Sequence, residues 1–122
     1  MQRELAVLGN VVRELSLHPA AEIASCETLA QAIYRALMHS GLTQETIADR
    51  LNVSASYLSL ILTGKRSCPA RLLLEIVTVT KSAAPLQWMT AQVGASVYLD
   101  PVEVRKAELR RELDNLEHGR AA

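Results

Sequence analysis

A chain of 122 residues holds one domain plus an arm, and its 13 Lys and Arg balance 13 Asp and Glu, which argues against binding a polyanion by net charge alone. Aromatic content of 3% with no Phe leaves Leu, Ile, Val and Ala to build the core, a composition suited to helices packed on helices. No apolar run is long enough to cross a bilayer, and Arg3 and Glu4 interrupt any signal-peptide core, so the expectation is a cytoplasmic protein without a membrane partner.

Taken in order, residues 2–16 carry Leu5, Leu8, Val12 and Leu15 at spacings of three and four, which predicts a helix with one apolar side. His18-Pro19 ends it, because the residue before Pro is pushed out of the helical region. That apolar side suits either packing on its own domain or an intersubunit seam. A second helix is expected after Ser25, with Glu27 in its first turn, Leu29, Ile33, Ala36 and Leu37 inward, and Gly41 as its stop.

The stretch Leu42 to Gly64 is the most heavily specified. Ile47, Ala48 and Leu51 form one helical stripe, and Leu58, Ile61 and Leu62 form another after a break at Asn52. Thr43 and Ser54 stand where N-caps belong, each able to accept an orphaned backbone N–H. Asn52 tolerates the left-handed backbone of a sharp turn, Ala48 allows close approach, and Val53 and Leu58 can close the corner. Two short helices joined by a tight turn make a helix-turn-helix.

Beyond Gly64, Lys65-Arg66-Ser67-Cys68 reads as a loop and Pro69 as the first position of a helix that buries Leu72, Leu73, Ile76 and Val77, with Val79 nearby. Pro85 opens another, with Leu86, Met89 and Val93 inward, Gly94 as its stop and Trp88 as a packing residue. Ala95 to Leu99 has some strand character. Asp100-Pro101 then starts a last helix, on which Val102, Leu109, Leu113 and Leu116 form a heptad seam with Lys106 in the remaining position. Such a helix is too short to stand alone and needs a partner surface, in its own subunit or another.

Cys26 and Cys68 have no metal-ligand spacing and no C-x-x-C arrangement, which predicts free thiols. His18, His39 and His118 are isolated from Cys and from each other and read as surface or helix-end residues. No phosphate loop, nucleophile elbow or paired-carboxylate arrangement stands out. The expectation is a protein that is not an enzyme and takes no cofactor, metal or small-molecule ligand.

The run from Leu42 to Gly64 resembles the helix-turn-helix of the phage lambda repressor and Cro superfamily (XRE-type). Gln44 matches the glutamine that opens the first helix, Ala48 the small residue, Val53, Leu58 and Ile61 the core positions, and Gly64 the closing glycine. Asn52 departs from the glycine more usual at the turn. The likeness extends as a bundle over about Cys26 to Val93, and Pro85-Leu86-Gln87-Trp88-Met89 is similar to phage CII-type regulators. It implies an all-α, lambda-repressor-like bundle with added N- and C-terminal helices. The chain then divides into an N-terminal arm (1–24), a DNA-binding bundle (25–98) and a C-terminal amphipathic helix (99–122).

The resemblance further implies a phage or prophage transcriptional regulator that binds double-stranded operator DNA through a major-groove recognition helix. Ser54, Ala55, Ser56, Ser59 and Leu60 would be base-facing, while Thr43, Gln44, Tyr57, Thr63, Lys65 and Arg66 would lie along phosphates. That face lacks the Arg, Gln and Asn that make two-pronged base contacts, so readout would rest on hydroxyls, on apolar contact with thymine methyls and on DNA shape. Modest specificity per half-site calls for a homodimer or homotetramer, with the seam of Val102, Leu109, Leu113 and Leu116 available for assembly. The other class open to this sequence is a helical adaptor that binds a protein through Tyr57 to Leu60 and the terminal helices.

Overall fold

The computed structural model describes residues 15–121, and side chains as far as residue 119. The helix expected over residues 2–16 falls outside that range up to residue 14. Its expected last turn is not helical: Leu15 to Pro19 are extended, and Ser16 forms an isolated parallel bridge with Ser82. All other regular structure among the described residues is α-helical, which makes the fold an all-α bundle. The residues fall into two compact units, one spanning Leu15–Val97 and one that includes Tyr98 onward.

The larger unit begins with a one-turn helix that the sequence periodicity missed, α1 (Ala20–Ala24), which buries Ile23. Next comes α2 (Leu29–Ser40), capped by Thr28 and not begun after Ser25. The Thr28 hydroxyl accepts from Gln31 N at 3.2 Å, and Gln31 Oε1 accepts in turn from Glu27 N. That reciprocal capping fixes the helix start and leaves Glu27 outside the first turn. Ala32, Ile33, Ala36 and Leu37 are buried, Leu29 is half-buried, and Gly41 (φ 72°) ends the helix as expected.

The paired short helices follow as α3 (Gln44–Leu51) and α4 (Ala55–Leu62), then α5 (Ala70–Thr80) with Pro69 one position ahead of the helix. Their inward residues meet in one cluster: Ile33 and Leu37 from α2, Ile47, Ala48 and Leu51 from α3, Leu58 and Ile61 from α4, and Leu72, Leu73 and Ile76 from α5. Each of the Leu and Ile side chains contributes roughly 1.5–3 kcal/mol by leaving water. Because that core holds α3 and α4 from behind, the opposite face of α4 is exposed at Ala55, Ser56 and Ser59.

Helix α6 (Ala84–Ala91) packs differently from the expectation. Met89 and Val93 are exposed, Val93 at 81%, and Leu86 is only half-buried. The helix enters the core by its first turn, where Ala83, Ala84 and Pro85 are buried, and turns Gln87 and Trp88 toward the protein. Trp88 Nε1 donates to Cys26 O at 3.0 Å, a packing role with its polar tip satisfied. The helix ends at Ala91, short of the expected stop at Gly94, whose left-handed φ of 76° lets Ala95 N donate back to Thr90 O at 2.9 Å. Residues 95–100 form no strand, because no described segment offers them an edge to pair with.

In the second unit, α7 (Pro101–Ala121) begins as the sequence predicts. Asp100 Oδ1 accepts from Val102 N at 2.9 Å and from Glu103 N at 3.3 Å. Val102, Leu109, Leu113 and Leu116 are 47–61% exposed. The covered side of the helix is the opposite one, where Glu108 is buried and Val104 and Ala107 are half-buried.

Candidate nucleic-acid interface

The corner between α3 and α4 is built by backbone hydrogen bonding that Asn52 makes possible. Its φ of 59° lets Asn52 N donate to Asp49 O at 3.1 Å and Val53 N to Ala48 O at 3.0 Å. This paired closure satisfies two carbonyls at the end of α3 and drops half-buried Val53 against the core. Thr43 Oγ1 accepts from Thr46 N at 3.1 Å, and Ser54 Oγ accepts from Tyr57 N at 3.0 Å, so both expected caps are present.

On α4, Leu58 and Ile61 are fully buried while Leu62 is half-buried, a narrower inward face than the spacing suggested. Ala55, Ser56, Ser59 and Thr63 are exposed and share an arc of about 100° at helical period. Half-buried Leu60 borders that arc on one side, and half-buried Tyr57 lies beyond it on the same side, toward the core.

The hydroxyls around it are not equivalent. Thr43 and Ser54 are committed to caps, and Thr63 Oγ1 donates to Ser59 O at 3.0 Å and to Leu60 O at 3.2 Å. Ser56 and Ser59 carry hydroxyls with no partner among the described residues. Those two are therefore the side chains of the arc that remain fully available to donate and accept.

At the end of α4, Gly64 takes φ 78°, and Lys65 N and Arg66 N both donate to Leu60 O, at 2.9 and 3.1 Å. The chain is thus folded back over the last helical turn, where Arg66 comes to lie 5.9 Å from the Tyr57 ring centroid. Lys65 and Arg66 are exposed and no carboxylate among the described residues pairs with either. Gln44 is exposed in the first turn of α3, beside Glu45, and Asp49 is exposed farther along that helix. Positive charge on this side is therefore concentrated in the loop after α4.

A family model described as a helix-turn-helix domain matches residues 11–84. The chain belongs to that family. Neither the curated proteins nor the solved structures compared with it gave a match. In this helix-turn-helix protein the sequence-derived residues from Thr43 to Arg66 lie together on α3, α4 and the loop that follows. Val102, Leu109, Leu113 and Leu116 belong to the other compact unit.

The sequence reads His18 as a surface or helix-end residue apart from His39; the structure sets the two rings 5.1 Å apart and makes a second cluster in the helix-turn-helix unit, centred on His18. Its side chain is 7% exposed, with Nδ1 2.9 Å from Glu22 Oε1 and Nε2 2.7 Å from Ser82 Oγ. The His18 backbone N–H donates to Gln87 Oε1 and its carbonyl accepts from Gln87 Nε2, both at 2.9 Å. Glu22 also meets Arg35 at 3.4 Å on α2. The hydrogen bond from His18, with the charges of His18 and Arg35, holds the Glu22 carboxyl below its usual range against the opposing effect of burial.

Cys26 and Cys68 are free thiols, and burial raises the Cys68 thiol above its usual value. No group of three or more His, Cys, Asp or Glu among the described residues is placed to hold a metal ion. No described helix is long and apolar enough to cross a membrane.

Proposed function

We propose that the protein is a cytoplasmic transcriptional regulator of the lambda repressor and Cro type, akin to phage CII-type regulators, that binds operator DNA by inserting α4 into the major groove. The observation that carries this is the pairing of an exposed arc, Ala55, Ser56, Ser59 and Thr63, with an unpaired cationic loop, Lys65 and Arg66, at the end of the same helix. A major groove admits one helix and offers base edges to its outward side chains, while cations at its margin meet phosphates. The free hydroxyls of Ser56 and Ser59 and the methyl of Ala55 would read bases, with Ser54 and Leu60 at the edge of that surface. Gln44, Lys65 and Arg66 would fix register, with Thr43, Tyr57 and Thr63 alongside the backbone.

The protein acts in this proposal as a binder, without catalysis or cofactor. Few two-pronged base contacts are available, so affinity comes from a homodimer or homotetramer joined through the leucine side of α7. The exposure of Val102, Leu109, Leu113 and Leu116, flanked by Glu103, Arg105, Arg110, Glu112 and Glu117, supports that role. In this reading the compact unit Leu15–Val97, with α1 and His18 packed into it, is the DNA-binding bundle, and α7 is the assembly helix.

The test is selection of sites from random duplexes, followed by a salt titration of the selected site. Affinity should fall with salt, and Lys65→Ala or Arg66→Ala should lower the slope by about one unit each while leaving base preference intact. A protein with no duplex preference and no salt-dependent binding would be an adaptor instead. Truncation after Leu99 should reduce solution mass and weaken binding to a two-half-site operator far more than to one half-site. An unchanged oligomer would remove α7 from assembly.

A further inference from the structure

The Arg66 side chain is the better fixed of the two cations at the end of α4. Two hydrogen bonds to Leu60 O return the loop onto the helix, and the guanidinium carbon lies 5.9 Å from the Tyr57 ring centroid. The ring itself is anchored, since Tyr57 is half-buried and packs against the core cluster. The Lys65 backbone shares in that return, making one of the two bonds, but no ring lies against its side chain among the described residues.

We infer that Tyr57 is a positioning residue: its ring face holds the Arg66 guanidinium at the margin of α4 so that the free N–H edge is presented to a DNA phosphate. The inference rests on the proposal that α4 enters the groove. A guanidinium carries its donors in its own plane, so one face can stack while the edge still forms two parallel bonds to a phosphate. Ordering the side chain beforehand lowers the entropy lost on binding. A lysine at the same place could offer only a mobile point charge. The Tyr57 phenol is then not itself the contact, and the ring acts through Arg66.

The experiment measures affinity for the selected duplex, at several salt concentrations, for the unmodified protein and for Tyr57→Phe, Tyr57→Leu, Arg66→Ala, Lys65→Ala and the double variants Tyr57→Leu/Arg66→Ala and Tyr57→Leu/Lys65→Ala. Tyr57→Phe should bind like the unmodified protein, because the ring is retained. Tyr57→Leu should weaken binding about two- to five-fold, the range expected for an exposed cation–ring contact. That loss should vanish in the Arg66→Ala background and persist in a Lys65→Ala background. Circular dichroism checks the fold, and Tyr57→Met replaces Tyr57→Leu if the latter unfolds.

A readout without DNA is the proton shift of the Arg66 δ-methylene, which should lie upfield beside the ring in the unmodified protein and in Tyr57→Phe, and return to the ordinary position in Tyr57→Leu. A loss in Tyr57→Phe would make the hydroxyl the contact, and an equal loss with and without Arg66 would make the two residues independent. Either result overturns the inference while leaving DNA binding in place. Failure of the unmodified protein to bind any duplex removes the DNA proposal and this role together, and it is recognised before any substitution is made.

Discussion

The corner between α3 and α4 and the corner where the His18 segment meets the start of α6 are both closed by hydrogen bonds, but they are specified in opposite ways. At the first, each partner is a near neighbour: Thr43 with Thr46, Ser54 with Tyr57, Ala48 with Val53. At the second, His18 reaches Ser82 across 64 residues and Gln87 across 69. The local corner can form as soon as its own residues adopt helical and turn conformations. The distant corner exists only after α5 and α6 have been brought back to the extended segment ahead of α1. Stability and assembly order should therefore depend on the two corners differently.

The largest effect should come from the core that backs the local corner. Leu58 is fully buried where α2, α3, α4 and α5 meet. Leu58→Ala should cost about 2–5 kcal/mol, through lost burial plus the cavity left behind. Urea unfolding followed by circular dichroism measures it. A cost well under 1 kcal/mol would mean that the four helices do not converge on this side chain.

His18→Ala should come next, at about 1–3 kcal/mol, because Ser82 is fully buried and would lose a partner together with Glu22. The loss should be global in urea unfolding yet leave duplex affinity at low denaturant close to that of the unmodified protein. If DNA affinity fell as steeply as stability, the two corners would be coupled and the contrast between them would fail.

What could be read from the sequence follows the same division. Thr43, Ser54, Asn52 and Gly64 were legible because a cap or a left-handed turn is a requirement on one residue and its neighbours. The start of α2 is equally legible in principle, since Thr28 and Gln31 stand at capping-box spacing, but Ser25 offers a competing start that the structure does not use. The inward face of α6 was not legible. Apolar periodicity pointed to Met89 and Val93, whereas the helix docks by Pro85 and uses Gln87 to hold a backbone segment far away in sequence. Periodicity could not reveal that polar clasp, nor could the isolation of His18 in sequence suggest its contacts. The Arg66–Tyr57 contact lies between these extremes: each residue stands out in the sequence, but only the turn at Gly64 places one over the other. The seam of α7 is visible as spacing, and its four apolar residues stand exposed, so spacing alone does not say what covers them.

Smaller effects sharpen the local side of the contrast. Thr43→Ala and Ser54→Ala should each cost about 1 kcal/mol by removing a capping acceptor. Asn52→Ala should cost about 1–2 kcal/mol, because alanine resists the left-handed φ of 59°. Asn52→Gly should stay close to neutral, since glycine adopts that conformation without strain but loses more freedom on folding. Thermal melts of the four variants measure this series. An Asn52→Gly variant as damaged as Asn52→Ala would show that the Asn52 side chain, and not its backbone geometry, holds the turn.

The smallest effect concerns Glu22 on the distant side. The hydrogen bond from His18, followed by attraction to His18 and Arg35, depresses its carboxyl pKa in the folded protein. A depressed carboxyl binds a proton less readily folded than unfolded. Its contribution is therefore complete above the unfolded carboxylate value and disappears as pH falls through the lower folded value. The expectation is that Glu22→Gln lowers the urea midpoint at neutral pH, and that the gap to the unmodified protein narrows with acidification below about pH 5, where carboxylates begin to protonate. His18 and Arg35 remain in both proteins, so the narrowing reports on the carboxyl itself. Urea titrations at several pH values measure the gap. A gap that stayed constant through the acid range would mean that Glu22 acts by shape or neutral hydrogen bonding, and that the distant corner is held without its ion pair.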